Sequence, residues 1–119
     1  MTMNNREKGS SYEEEAASFF ESMGYDILEM NYRRKTGEID LIARDGDTYV
    51  FTEVKYRKKL RKGYPEEAVT PEKMRRIMRT AEWYFTENSL SFYNTRARFD
   101  VISILDGNLR HIKNAFGGM

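Results

Sequence analysis

Residues 37–55 read GEIDLIARDGDTYVFTEVK, two apolar, alternating runs around an Asp-Gly-Asp turn. The Gly46-Asp47 pair is typical of a two-residue hairpin loop with a positive φ at Gly46. That loop sets two charged pairs opposite each other across the hairpin, Asp40 with Glu53 and Glu38 with Lys55. Buried or half-buried strands rarely carry such charges on one face unless the groups are paired or bind a metal.

The predicted register also assigns the two faces of the hairpin. One face carries Glu38, Asp40, Ile42, Phe51, Glu53 and Lys55, and the other carries Ile39, Leu41, Ala43, Val50, Val54 and Tyr56. The second face is predicted to be core. Directly opposed carboxylates, about 4.5–5.5 Å apart, repel each other, and a divalent cation between Asp40 and Glu53 would offset the repulsion. The alternative is an exposed hairpin with a Glu38 to Lys55 ion pair and a solvated Asp40.

Length and composition predict one globular domain. The chain has 119 residues, 39% of them apolar, and no cysteine, which excludes a disulfide framework and a Cys-ligated zinc site. The first nine residues are polar, and no run of about eighteen apolar residues occurs. We therefore expect a cytoplasmic protein without a membrane segment, with residues 1–9 as a disordered tail and residues 10–116 as a single domain.

Charge is distributed unevenly along the chain. Residues 1–54 carry a net charge of −6 and residues 55–119 carry +7, so the overall +1 hides the difference. Six of the eight residues 55–62 are basic. Such clusters attract polyanions in a salt-dependent way, and the alternative is a solvated loop and helix face. The residues predicted to bind nucleic acid are Arg57, Lys58, Lys59, Arg61, Lys62, Lys73 and Arg76.

Two helices are predicted. The first covers residues 11–23 and opens with a capping-box signature at Ser10 and Glu13. Glu13 also falls on its apolar stripe, which consists of Ala16, Ala17, Phe19, Phe20 and Met23. The second helix begins after Thr70-Pro71 and runs to about residue 88. Its buried stripe is Met74, Ile77, Met78, Ala81 and Phe85, with Trp83 and Tyr84 partly covered.

Five strands complete the predicted order αβββαββ. They cover residues 25–33, 38–44, 48–57, 97–105 and 109–114. A strand, a helix and a further strand in one sheet cross over right-handedly, so the third and fourth strands should be parallel neighbours. The pattern therefore predicts an α/β fold with a mixed central sheet flanked by helices.

Seven motifs follow one another in a fixed order over nearly the whole chain. They are Glu13-x-x-Ala16-Ala17, Gly24-Tyr25-Asp26-Ile27-Leu28, GEIDLIA at residues 37–43, Glu53-Val54-Lys55, Ala68-Val69-Thr70-Pro71-x-Lys73, Arg98-Phe99-Asp100-Val101 and His111-Ile112-x-Asn114-Ala115-Phe116. Together they resemble the YraN-type family of small bacterial proteins, which are uncharacterised predicted endonucleases. That family is placed in the PD-(D/E)XK nuclease superfamily, near archaeal Holliday-junction resolvases, and the resemblance implies a restriction-endonuclease-like fold.

The resemblance also implies individual roles. Asp40 and Glu53, with the Val54 carbonyl, correspond to a site for Mg²⁺ or Mn²⁺, and Lys55 corresponds to the catalytic lysine. Glu13 corresponds to the first-helix acid of resolvase-like members, and Glu38 is placed to hold Lys55. Two positions depart from the family pattern: Tyr12 stands where a glycine is usual, and Met74 stands where the family has glutamine.

Three functional hypotheses follow. The first is a metal-dependent endonuclease that hydrolyses phosphodiester bonds in DNA, with structured or branched DNA as candidate substrates. The second is a non-catalytic nucleic-acid-binding module on the same fold, which Met74 favours. The third is an interaction protein whose acidic and basic halves bind each other in a homodimer. His111, the only histidine, is interpreted as structural.

Overall fold

Five strands form one mixed sheet between two helices. A computed structural model describes the backbone of residues 5–59 and 63–116, and the side chains of these residues except 5–10 and 66. The helices are α1 (Asn5–Ser22) and α2 (Pro71–Glu87), with a short 3-10 helix at Pro65–Ala68. The strands are β1 (Asp26–Arg34), β2 (Gly37–Asp45), β3 (Thr48–Arg57), β4 (Arg96–Leu105) and β5 (Asn108–Phe116).

The strands follow one another across the sheet in the order β1-β2-β3-β4-β5. Strands β3 and β4 are parallel and are connected through α2, whereas the other neighbours are antiparallel. The predicted α/β class, the parallel central pair and the mixed sheet flanked by helices are confirmed. The arrangement is compatible with a restriction-endonuclease-like fold.

Each helix covers its own apolar core. On the α1 side, Ala16, Ala17 and Phe20 pack against Leu41, Ala43, Val50, Ile102 and Ile104. On the α2 side, Ile77, Ala81, Tyr84 and Phe85 pack against Ile39, Ile42, Phe51 and Phe99. Met23, which was assigned to the apolar stripe of the first helix, is more exposed than predicted at 40%, whereas Trp83 is partly covered, with 44% of the residue exposed. In the described part of the chain, neither helix is long and apolar enough to cross a membrane.

Helix α1 starts earlier than the sequence pattern predicts. Its first described residue is Asn5, so the interpretation of Ser10 as the N-cap is wrong, and residues 5–9 belong to the helix. Arg, Glu and Lys, which occupy positions 6–8, are good helix formers, and they extend the helix beyond the capping-box signature. The rest of the predicted tail, residues 1–4, lies outside the described residues.

The hairpin turn forms as predicted, but the ladder behind it is short. Gly46 has a φ of 62° and is the first of two loop residues, as in a type II′ turn. Cross-strand pairing runs from Asp45 with Thr48 to Leu41 with Thr52. The predicted backbone pairing of Asp40 with Glu53 is therefore wrong, since the β2–β3 ladder ends one pair earlier.

Side-chain alternation also breaks at Asp40. Ile39 was predicted to share a face with Leu41, yet it packs in the α2-side core with Ile42, while Leu41 packs in the α1-side core. The neighbouring strand shows the same break: Met30 contacts the α1-side core, Tyr32 lies in the α2-side core, and Asn31 between them has a φ of 56°. Because of this local irregularity, the side chains around Asp40 do not follow the usual alternation between the two faces of the sheet.

Candidate active site

An acidic cleft lies where β2 and β3 stop pairing. Its volume is about 170 Å³, and its lining residues come from β2, β3 and α2. They are Gly37, Glu38, Asp40, Glu53, Lys73, Arg76 and Ile77. The cleft therefore brings the charged ends of the two hairpin strands together with the first turns of α2.

Three carboxylates meet at this point. One oxygen from each of Glu13, Glu38 and Asp40 lies within 4.8 Å of the other two. Glu13 reaches the group because it occupies the buried stripe of α1, three and four residues before Ala16 and Ala17. A cluster of this kind is costly without a counter-ion, because each negative charge destabilises the others.

Asp40 is fixed by the backbone of the next strand. The Val54 N–H donates to Asp40 Oδ2 at 2.8 Å. Val54 lies beyond the last β2–β3 pair, so the Asp40 carboxyl accepts the hydrogen bond that a backbone carbonyl of β2 would otherwise accept. Burial, followed by the negative charge of Glu53, raises the pKa of Asp40 to about 8. Without a cation, the carboxyl group is therefore held largely in its neutral form near neutral pH.

Glu13 has one satisfied and one unsatisfied oxygen. Asn31 hydrogen-bonds to the side chain, whereas Oε2 is buried and has no hydrogen-bond partner among the described residues. Burial, with a smaller contribution from the charge of Glu38, raises the pKa of Glu13 to about 7. A buried acceptor without a donor destabilises the fold unless a ligand satisfies it.

Glu53 lies beside the carboxylate group and is engaged by two lysines. It is almost fully buried, and its Oε1 accepts from Lys73 Nζ at 2.9 Å and from Lys55 Nζ at 3.3 Å. Burial and the adjacent Lys73 lower the pKa of Lys55. The site thus places two ammonium groups directly beside the Glu53 carboxylate.

The structure unites most of the predicted catalytic residues. Glu13, Glu38 and Asp40 form the carboxylate group, with Glu53 and Lys55 adjacent to it. Glu38 was predicted to hold Lys55, but it pairs with Arg33 at 3.0 Å, and Lys55 pairs with Glu53. Val54 contributes its N–H to Asp40, and a role for its carbonyl stays a prediction.

The predicted nucleic-acid-binding residues separate into two groups. Lys73 and Arg76 line the acidic cleft, and Arg76 also pairs with Glu72 at 2.7 Å. Lys58 and Lys59 line a different groove, at the carboxyl end of β3. Arg57 donates to the Gly63 carbonyl at 3.1 Å, while Arg61 and Lys62 lie outside the described residues.

Two site contacts were missed in the sequence. The first is the contact of Asn31 with Glu13, because polar residues are common in β1 and nothing in its sequence distinguishes Asn31. The second is the contact of Lys73 with Glu53, since Lys73 was assigned to the nucleic-acid backbone alone. Both depend on packing between elements that are distant in sequence.

The donor set suits a hard divalent cation. All candidate ligands are carboxylate oxygens, which Mg²⁺ and Mn²⁺ prefer over the nitrogen and sulfur ligands typical of zinc. The unsatisfied Glu13 Oε2 and the raised pKa of Asp40 are the features that such a cation would relieve. Glu13, Glu38 and Asp40 can therefore hold a metal.

Stabilisation by Mg²⁺ is expected to be larger at about pH 8.5 than at about pH 6. Because folding raises the pKa of Glu13 from 4.5 to about 7 and that of Asp40 from 3.8 to about 8, the stability that these two groups contribute without metal is complete below about pH 4 and falls as the pH rises from about 4 to about 8. A bound cation offsets the charges that cause this fall. Thermal unfolding in EDTA and in Mg²⁺ at both pH values measures the effect, and Glu13→Gln should reduce it. An equal Mg²⁺ shift at both pH values would contradict the prediction.

Comparison with known proteins identifies the family. A family model described as "Uncharacterised protein family UPF0102" matches residues 12–104. The UPF0102 protein of Lachnoclostridium phytofermentans is 48% identical over 114 residues, which cover 96% of each chain. The UPF0102 protein of Caldicellulosiruptor saccharolyticus is 47% identical over 122 aligned residues, covering 96% of this chain and 100% of the relative. The chain therefore belongs to the UPF0102 family, the YraN family that its sequence motifs indicate.

Proposed function

We propose that this protein is a divalent-metal-dependent endonuclease that hydrolyses phosphodiester bonds in DNA. One observation carries the proposal: four carboxylates and two lysines from four elements either line one cleft or lie within 4.8 Å of a carboxylate that lines it. They are Glu13 of α1, Glu38 and Asp40 of β2, Glu53 and Lys55 of β3, and Lys73 of α2. The same chain carries clustered basic residues in a second groove, at the carboxyl end of β3, as a polyanionic substrate requires.

Asp40 and Glu13 are the residues best suited to hold Mg²⁺ or Mn²⁺, with Glu38 completing the group. Glu53 belongs to the binding pair that the family resemblance implies, and its charge already acts on Asp40. When bound, the cation would polarise the scissile phosphate and lower the pKa of the attacking water. The carboxylates would orient that water, and Asn31 would keep Glu13 in position.

Lys55 and Lys73 are suited to bind the scissile phosphate. Both ammonium groups lie within 3.3 Å of the Glu53 carboxylate, so they are held where negative charge develops during hydrolysis. Preorganised positive groups of this kind stabilise the transition state more than the ground state. Lys58 and Lys59 would contact the backbone farther along the strand, which fixes its position without reading its sequence.

The proposal is tested by incubating the purified protein with labelled single-stranded, duplex, flap and four-way-junction DNA in Mg²⁺, Mn²⁺ or EDTA. Products that require metal and are absent with Asp40→Ala support the proposal and identify the preferred DNA structure. No metal-dependent product from any of these substrates would contradict it.

Lys55→Met is expected to reduce cleavage by about 100-fold or more, because one preorganised positive charge is lost from the transition state. Since the lysine is not a metal ligand, stabilisation of this variant by Mg²⁺ should persist. Single-turnover cleavage and thermal unfolding measure the two quantities. Lys113→Met, on an exposed lysine of β5, is the matched control. Equal cleavage by the Lys55 variant and the control would exclude the assigned role.

A second candidate is a nucleic-acid-binding module without turnover. It is favoured by Met74, which stands where the family resemblance implies glutamine, and by the engagement of Glu53 with two lysines. Binding that depends on salt but not on metal, with no product formed, would support this candidate.

A further inference from the structure

A second groove lies at the carboxyl ends of β3 and β4, outside the acidic cleft. Its volume is about 510 Å³, within the range of sites that hold small organic ligands. The charged groups that line it are Lys58, Lys59 and Arg110, opposed by one carboxylate, Asp106. The groove is therefore positively charged and complementary to a phosphate-bearing ligand.

Tyr64 supplies an aromatic surface in this groove. Tyr64 is 42% exposed, and the Arg110 guanidinium lies over its ring, 4.7 Å from the ring centroid. This cation–π contact orients the ring and places a positive charge beside it. An exposed aromatic ring within a basic groove is the combination on which unpaired bases stack.

The backbone under Tyr64 is held in place. The Tyr64 N–H donates to Glu67 Oε2 at 2.7 Å, and the carbonyl of the preceding residue, Gly63, accepts from Arg57 Nη1 at 3.1 Å. Gly63 has a φ of 86°, and a Cβ at this position would lie 1.9 Å from Glu67 Oε2. The positive φ favours glycine at this position, and the two hydrogen bonds fix the backbone from which the Tyr64 side chain extends.

We propose that this groove binds an unpaired nucleotide of the substrate strand, with the base stacked on Tyr64 and its phosphates near Lys58, Lys59 and Arg110. The inference rests on the proposed nuclease function and specifies its substrate. An aromatic ring can stack only on a base whose face is open, so the groove selects single-stranded segments over continuous duplex. Lys58 follows Lys55 by three residues, about 10 Å along the chain. The proposal therefore has one DNA strand extend from the acidic cleft into this groove.

The test measures binding of the full chain to fluorescein-labelled single-stranded DNA, to RNA of the same sequence and to blunt duplex DNA, by fluorescence anisotropy in EDTA. Tyr64→Ala should weaken single-strand binding about tenfold and duplex binding much less. Tyr64→Phe should bind like the wild type, because the aromatic face is retained. Tyr93→Ala, which removes a tyrosine that is 96% exposed and outside the groove, should have no effect.

Two results would overturn the proposal: no binding of either single strand by the wild type, or equal single-strand binding by Tyr64→Ala and Tyr93→Ala. Circular dichroism of each variant establishes that it is folded. The cleavage assay with Asp40→Ala is independent of this comparison. If Tyr64→Ala weakens single-strand binding but no DNA is cleaved, the proposal for the groove is supported and the proposed nuclease function is contradicted. If metal-dependent cleavage occurs but Tyr64→Ala binds single strands as well as the wild type does, the nuclease function is supported and the proposal for the groove is contradicted.

Discussion

Asp40→Asn is expected to lower metal-dependent cleavage by at least about 100-fold while leaving the protein folded. The amide oxygen of asparagine can still accept the Val54 N–H, which Asp40 Oδ2 accepts at 2.8 Å. The substitution therefore keeps the local geometry and removes the charge. Because that charge is the part of the side chain that attracts a cation, metal binding and cleavage should be lost together.

The same substitution should stabilise the metal-free protein. Burial and the neighbouring carboxylates raise the pKa of Asp40, which means that a negative charge on Asp40 destabilises the folded state. At about pH 8.5 in EDTA, removal of this charge should raise the Tm by about 2–6 °C. In Mg²⁺ the order should reverse, because the variant has lost the ligand that couples metal binding to folding.

Asp47→Asn is the matched control for Asp40. Asp47 lies in the exposed hairpin turn, 3.8 Å from Arg96, with 77% of its side chain exposed. Cleavage and Tm should equal those of the wild type. If Asp40→Asn were stabilised by Mg²⁺ as strongly as Asp47→Asn, Asp40 could not be a metal ligand.

Asp100→Ala is expected to cause the largest loss of stability, about 3–5 kcal/mol. Asp100 is fully buried and accepts hydrogen bonds from three donors. The donors are Arg98 Nε at 3.0 Å, His111 Nε2 at 2.7 Å and the Asn114 N–H at 2.9 Å. Truncation leaves these three donors without Asp100 as their acceptor, although Arg98 keeps its bonds to Asp45 and Tyr25, and unmet buried donors are costlier than a lost contact.

The Asp100 network should also influence the metal site through α1. The His111 ring packs edge-on against Phe19 and Phe20, with centroids 5.8 Å and 5.1 Å away. These residues lie on the helix that carries Glu13. Loss of Asp100 should therefore reduce both the free energy of unfolding and the stabilisation by Mg²⁺, although Asp100 is not part of the carboxylate group.

Urea unfolding followed by circular dichroism measures the effect of Asp100→Ala. Asp26→Ala is the control, since Asp26 is 71% exposed and 3.8 Å from Arg44, and it should change stability by less than about 0.5 kcal/mol. Similar stabilities for the two variants would show that the network contributes little.

Much of the fold could be predicted because it depends on local patterns. The Gly46-Asp47 loop predicted the hairpin register near the turn, and Thr70-Pro71 predicted the start of α2, where Thr70 caps the Lys73 N–H. The break at Asp40 could not be predicted, because it requires the positive φ of Asn31 on a neighbouring strand. Simple alternation therefore placed Ile39 on the wrong face.

By itself, the sequence determined the order of elements, the tight turn, the apolar stripes and the set of carboxylates and lysines available for chemistry. These features arise from interactions between residues close together in the chain. Only the tertiary structure decided that Glu13 joins Glu38 and Asp40, that Lys73 reaches Glu53, and that Asp100 anchors His111. Such contacts depend on how the two helices pack on opposite faces of the sheet and on the point where β2 and β3 stop pairing. That packing is determined by the whole core.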